Sequence, residues 1–290
     1  MTTTGVNLFS ALPGDVLRHE LSFLPSRDAV QASVLSRRWR HLWRSTPALR
    51  VPGLDTDARR YPAFILFVNR FLLLRDGASP LRTFEIDVCH YNDGDDDEFD
   101  LWIRHAALTC QTLDVAASAN VERCILRLTS GPLANAQHLT TLRLSSVRLH
   151  GDFLDLSRCP ALVHLSLSKC RLDCKAIVSR LLRRLSVVDC FSGWTTTSLR
   201  ISTPSLSWLH LAEPPRFLLE SMPSLTAATV LLSRGKLDDC SSRSVLLDAL
   251  SEATSLELMA SSSHGQVGFL FYFYFSYKSI QRLIKQSKHA

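Results

Sequence analysis

HLTTLRLSSVRL, His138–Leu149, and ALVHLSLSKCRL, Ala161–Leu172, carry one pattern twice. Leu139, Leu142, Leu144, Val147 and Leu149 of the first stand at the offsets of Leu162, Leu165, Leu167, Cys170 and Leu172 of the second. The Leu-x-Leu centre has the period of a strand, turning its leucines to one face and its variable residues to the other. The same spacing returns as Leu81/Phe84/Ile86, Val121/Cys124/Leu126 and Leu182/Leu185/Val187. It continues as Leu206/Leu209/Leu211 and, worn down, as Leu225/Ala228/Val230.

The central positions 124, 142, 165, 185, 209 and 228 recur at intervals of 18 to 24 residues. An irregular period of this length, with this internal spacing, is the signature of leucine-rich repeats. No single repeat encloses its own apolar side, so successive copies share one core beneath a curved parallel sheet. Cys170 falls where the repeat wants a small side chain turned inward under the strand. The outward strand positions are then the candidate target-binding surface. Arg143, His164, Arg184, Trp208 and His210 make a basic and aromatic stripe of the kind enriched in binding hot spots, whereas the first unit offers Glu85 and Asp87.

ALPGDVLRHELSFLPSRDAVQASVLSRRWRHLW, Ala11–Trp43, has a helical period instead. Pro13 at a first helical position, with Val16, Leu17, Leu21 and Leu24 on one face, predicts a helix that Pro25 stops. Ser26 is placed to cap a second helix carrying Ala29, Val30 and Val34. Ser36 is placed to cap a third, with Trp39, Leu42 and Trp43 on one stripe, and Pro47 closes the unit. A unit of roughly thirty residues buries too little to stand alone, so its tryptophans and leucines need another surface.

This stretch closely resembles the F-box of plant proteins. Leu12-Pro13, the Leu24-Pro25-Ser26-Arg27-Asp28 turn and Ser36-Arg37-Arg38-Trp39-Arg40 occur together at that family's spacing. The resemblance implies docking on a Skp-type adaptor and, through it, on a cullin-based ubiquitin ligase, with the repeats holding a target protein. It assigns the F-box core and adaptor face to Leu12, Pro13, Val16, Leu17, Leu21, Leu24, Val30, Val34, Leu35, Trp39 and Trp43. A non-degradative interaction scaffold, with the F-box serving only for docking, is the alternative. Nucleic acid is disfavoured as a partner: basic residues cluster on the F-box-like helices, with seven arginines between Ala11 and Arg50, rather than forming a long stripe on the repeats.

Between these units, Arg50–Tyr61, with Pro52 and Gly53, reads as a linker. YPAFILFVNRFLLL, Tyr61–Leu74, places Phe64, Phe67, Val68, Phe71 and Leu72 at helical spacing. Asn69 and Arg70 interrupt it, and it is shorter than the roughly 20 residues a membrane span needs, so it reads as a packing helix. NDGDDDEFD, Asn92–Asp100, lacks the residue order of a calcium loop and reads as solvated, with a helix expected over Leu101–Leu113. Arg243–Ala253 reads as a last helix and Ser255–Met259 as a last strand. VGFLFYFYFSY, Val267–Tyr277, holds seven aromatics in eleven residues and is expected to cap the repeats or dock elsewhere; the basic, amphipathic Lys278–His289 follows it.

Apolar residues at 46% and charged residues at 21% describe a globular protein with an ample core, and the net charge of +6 is modest. Met1–Ala11 lacks the basic start and apolar run of a secretory signal, so the expected setting is the nucleus and/or cytoplasm, with the eight cysteines as thiols. Cys170 and Cys174 have no second Cys/His pair to complete a metal site. No GxSxG, HExxH or glycine-rich phosphate loop is present, so the reading is of a non-catalytic protein without a cofactor. The expected architecture is α/β: a loose N-terminus at 1–10, a three-helix F-box at 11–50, and a linker with a packing helix at 51–80. An irregular leucine-rich-repeat solenoid with a curved parallel sheet occupies 81–260, and an aromatic, basic tail of uncertain structure 261–290.

Overall fold

The computed structural model describes residues 12–53, 61–88, 96–117, 126–128, 133, 136–151, 154–192, 198–213, 216–233, 253, 255–261 and 271–276. Its first helix, α1 (Gly14–Leu21), begins one residue after Pro13, which stands at the cap with φ −56° and ψ 148°. The Pro13 carbonyl accepts the Leu17 N–H at 3.2 Å, and Leu17 and Leu21, one turn apart, are the buried side. Pro25 sets the start of α2 (Ser26–Gln31), which tightens into a 3-10 turn at Ala32–Val34. Ser26 is not the cap expected of it. Its hydroxyl accepts the Arg50 N–H at 2.9 Å.

The third helix expected after Ser36 is replaced by turns and a 3-10 turn at Leu42–Ser45. Two physical reasons account for the loss. Arg40 and Arg44 put like charges four residues apart, which opposes a helix. Of the expected stripe only Trp43 is buried, so tertiary packing gives a short helix too little support.

Strand β1 (Ala48–Val51) follows directly and pairs in parallel with β2 (Thr83–Asp87), so Arg50 and Val51 are sheet rather than linker. Between them α3 (Tyr61–Leu74) spans the residues its pattern predicted, with Val68 and Phe71 turned into the core. Helix α4 (Asp96–Thr109) starts inside the acidic run, where carboxylates favour a helix N-terminus, and ends earlier than expected. The residues that follow form β3 (Thr112–Ala116), burying Leu113 and Val115. That strand, rather than Val121/Cys124/Leu126, stands next to β2 in the main sheet. Leu126 is buried but leads into β4 (Arg127–Leu128) of a separate sheet, while Val121 and Cys124 lie outside the described residues.

The chain continues through β5 (Thr141–Ser145), β6 (Arg148–Gly151), β7 (His164–Ser168), β8 (Arg171–Cys174), β9 (Ala176–Val178) and β10 (Arg184–Val188). It then forms β11 (Leu199–Ser202), β12 (Trp208–Ala212), β13 (Phe217–Leu219), β14 (Ala227–Ser233), β15 (Ser255–Ser261) and β16 (Phe271–Ser276). The main sheet of ten described strands runs β1-β2-β3-β5-β7-β10-β12-β14-β15-β16. All its pairings are parallel except the last, where β16 runs antiparallel to β15 and ends the sheet. Ser255–Met259 is therefore part of a longer strand and not the final one. Two three-stranded sheets, β4-β6-β8 and β13-β11-β9, take the return side of the repeats, and their buried residues join the same core. The helix read at Arg243–Ala253 lies outside the described residues save Ala253, as do the lead-in Met1–Ser10 and the basic segment Lys278–His289.

A backbone spine fixes the stacking. The Pro47 carbonyl accepts two N–H groups, from Arg82 at 2.8 Å and Thr83 at 3.0 Å. Arg82, Gln111, Thr140, Val163, Arg183 and Ser207 repeat the arrangement, each carbonyl taking two consecutive N–H groups of the next repeat. At the other end of the strands Ser146, Lys169, Asp189 and Glu213 have φ between 44° and 56°. This left-handed kink aims each N–H at a carbonyl towards the end of the neighbouring strand, at 2.8–2.9 Å. Beneath it, the Cys170 Sγ lies 3.3 Å from the carbonyls of both Leu144 and Ser168, the inward role its repeat position predicts.

Candidate interaction surfaces

Inward leucines and outward polar residues alternate along the main-sheet strands, leaving one face open. Register then decides which outward residues meet. His164, Arg184 and Trp208 lie side by side in one row, on β7, β10 and β12. Arg143 and His210 belong to the adjacent row, separated by Ser166 and Ser186. All five stripe residues thus share one panel of four strands, and the Trp208 and His210 rings stack with centroids 5.8 Å apart.

Charge is distributed unevenly along these rows. Arg50, Glu85, Asp114 and Arg143 stand in register on β1, β2, β3 and β5. Arg50 pairs with Glu85, and Arg143 reaches Asp114 at 3.8 Å. Burial holds the Asp114 carboxyl above its ordinary value; Arg143 opposes that rise while Glu85 and Asp87 add to it. Beyond β5 the outward positions through β14 carry no carboxylate. The His164 imidazole is held below its usual value by burial and then by Arg184 and Arg143, and burial acts alike on His210. Both rings are therefore neutral near pH 7.

The return side is wired differently. Arg148 of β6 and Arg171 of β8 both donate to Asp173, whose side chain is 3% exposed. Burial alone would raise this carboxyl, but the two guanidiniums overrule it and hold it below the usual carboxylate range. Cys110 is also buried, and its thiol is pushed up to about 12, so it stays protonated. Among the described residues no group of three or more His, Cys, Asp or Glu is placed to hold a metal ion, and no helix is long and apolar enough to cross a membrane.

The N-terminal unit separates its apolar residues into two sets. Leu17, Leu21 and Trp43 are buried, and Trp43 packs on Phe71 of α3 with ring centroids 5.3 Å apart. Leu12, Val30 and Trp39 are half-buried. Pro13, Val16 and Leu24 are exposed, and Val34 and Leu35 lie almost fully in water at 86% and 75%. Phe23, absent from the sequence-based set, is 60% exposed beside His19. It falls just past the edge of the face shared by Val16, Leu17, Leu21 and Leu24, so a periodicity argument passes it over. Side-chain contacts hold the unit to the rest of the fold: Arg50 Nε donates to the Ser22 carbonyl at 2.8 Å, Arg50 pairs with Glu85, and Arg75, just after α3, donates to the Thr46 carbonyl at 2.7 Å.

A family model described as an F-box domain matches residues 9–50, and one described as the At1g61320/AtMIF1 LRR domain matches residues 81–276. Similar proteins include the rice MEIOTIC F-BOX protein MOF, 30% identical over 219 residues that cover 71% of this chain and 46% of the rice protein. The Arabidopsis thaliana F-box protein At5g03100 is 28% identical over 262 residues, covering 81% of this chain and 79% of that protein. The putative F-box/FBD/LRR-repeat protein At5g22610, also from Arabidopsis thaliana, is 35% identical over 153 residues, 51% of this chain and 29% of that one. The chain thus spans less than half the length of the rice relative and of At5g22610.

Proposed function

This chain belongs to the plant family of F-box proteins with leucine-rich repeats, and on that premise we propose that it is the substrate-recognition subunit of an SCF-type cullin ubiquitin ligase. Its N-terminal unit binds a Skp-type adaptor, and the open face of its sheet holds a target protein in the nucleus or cytoplasm. The observation that carries the reading is the segregation of apolar residues in the first unit. Leu17, Leu21 and Trp43 make the fold, while Phe23, Leu24, Val34 and Leu35 are left in water. Covering one such side chain stabilises by about 1.5–3 kcal/mol, so a partner that buries these four gains a useful affinity. The chain supplies position rather than bond-making: holding a target near another protein's reactive group replaces an entropic barrier.

Titration of the full chain with a purified Skp-type adaptor tests this. Phe23→Asp with Val34→Asp and Leu35→Asp is expected to weaken binding at least about 100-fold while the thermal midpoint stays within a few degrees, because the three side chains are exposed. Wild-type chain that does not bind the adaptor, or a variant that binds equally well, would leave the interaction scaffold as the better reading.

A further inference from the structure

We propose that the open face between β5 and β12 binds an acidic peptide segment carrying an aromatic residue, with Arg143 and Arg184 taking its carboxylates and Trp208 stacking its ring. The inference deepens the target-binding reading above and rests on it. Its first support is the break in charge balance along the sheet. From β1 to β5 each in-register arginine has an acid beside it, Arg50 with Glu85 and Arg143 with Asp114. At Arg184 the arrangement stops: its row neighbours are His164 and Trp208, and no outward carboxylate stands on β7, β10 or β12. The nearest acids along the chain, Asp189 and Glu213, come after the far ends of β10 and β12. Glu257 lies two strands from His210, where Thr229 donates to it.

The second support is Trp208 itself. It stands 37% exposed between Arg184 and Ala227 in its row, with one ring surface on His210. An indole set one strand from an open guanidinium offers a flat apolar contact next to a charge, the pairing that recurs at binding hot spots. With both histidines neutral, the attraction for an acid comes from Arg143 and Arg184.

Spacing fixes the ligand further. Neighbouring strands are about 4.8 Å apart, and an extended peptide rises about 3.3 Å per residue. Arg184 is one strand from Trp208 and two from Arg143. A peptide crossing the strands therefore places its aromatic residue about one or two positions from one acid and about four or five from the next. The two arginines also confer a salt dependence that a purely apolar contact lacks.

The test titrates the purified full chain with four labelled peptide sets of equal length: acidic with an aromatic, acidic without one, neutral with an aromatic, and basic with an aromatic. Adaptor binding is measured on the same preparations. The acidic aromatic set is expected to bind best, to lose about tenfold or more with Arg184→Glu, and to weaken several-fold with Trp208→Ala. Arg184→Lys is expected to retain most of the binding, and an unchanged thermal midpoint excludes unfolding. If neutral or basic aromatic peptides bind as well, with loss in Trp208→Ala, the acidic preference is wrong and the target face stands. If no set binds this face, both the inference and the target-binding role of the face fall, whatever the adaptor result. Acidic peptides that bind wild type and Arg184→Glu equally would overturn the proposal alone.

Discussion

Arg148 and Arg171 on the return side, and Arg143 and Arg184 on the open face, come from the same few repeats yet behave in opposite ways. The first two close on one buried carboxylate, Asp173, each donating to a different oxygen. The second two lie on exposed strand positions, and between them they have one acid, Asp114, which pairs with Arg143 at 3.8 Å. A guanidinium that ends on a buried carboxylate belongs to the fold. One that faces water beside an exposed indole is available to a partner. Position relative to the core, rather than residue type, separates structural charge from recognition charge.

Removing the structural member of the comparison should produce the largest effect. Asp173→Ala leaves two partly buried guanidiniums without their acceptor and is expected to cost about 2 kcal/mol, read from denaturant unfolding; a loss under about 0.5 kcal/mol would mean that the cluster is solvated. The sign with pH follows from the depressed carboxyl. Its contribution is complete above the unfolded value near 4 and disappears as pH falls through the lower folded value. Between about pH 5 and pH 3 the wild-type midpoint should therefore fall more steeply than that of Asp173→Asn.

A smaller effect of opposite sign is expected at the kinks that end the strands. Lys169 sits at φ 53°, a region that costs an ordinary L-residue about 1 kcal/mol. Lys169→Gly relieves that strain, less the entropy lost by glycine, for a net gain of about 0.5 kcal/mol. Asp189→Gly should gain less, since Asp tolerates the left-handed region better. The smallest effect belongs to the open face: Arg143→Ala and Arg184→Ala should each stay within about 0.5 kcal/mol of wild-type stability. A larger loss at Arg184 would reveal an unrecognised structural bond and blur the contrast.

The repeats were legible because each strand announces itself by inward leucines at a fixed offset, and the pairs Leu142 with Leu165 and Leu185 with Leu209 meet in register as that spacing requires. The strand at Thr112–Ala116 was missed although Cys110, Leu113 and Val115 have the right spacing. The helical period of Trp102, His105, Ala106 and Leu108 runs straight into it, and periodicity has no marker for where a helix hands over to a strand. The false third helix has the converse cause: Trp39, Leu42 and Trp43 fit a stripe, but of the three only Trp43 is buried. The stripe on the open face could be listed from the sequence. That His164, Arg184 and Trp208 share a row, and that no outward acid stands between Asp114 on β3 and Glu257 on β15, needed the register.

The two-donor carbonyls turn the protein into a graduated gauge. Because the series begins at Pro47, inside the N-terminal unit's own exit, no slack separates the first helices from the first strand. Arg184 then stands five strand steps from β1, roughly 24 Å at the usual strand spacing. Lengthening the stack by one repeat ahead of β7 would shift everything gripped beyond it by one graduation, about 4.8 Å. Reach is thereby written as an integer number of repeats, which evolution can change only in whole divisions.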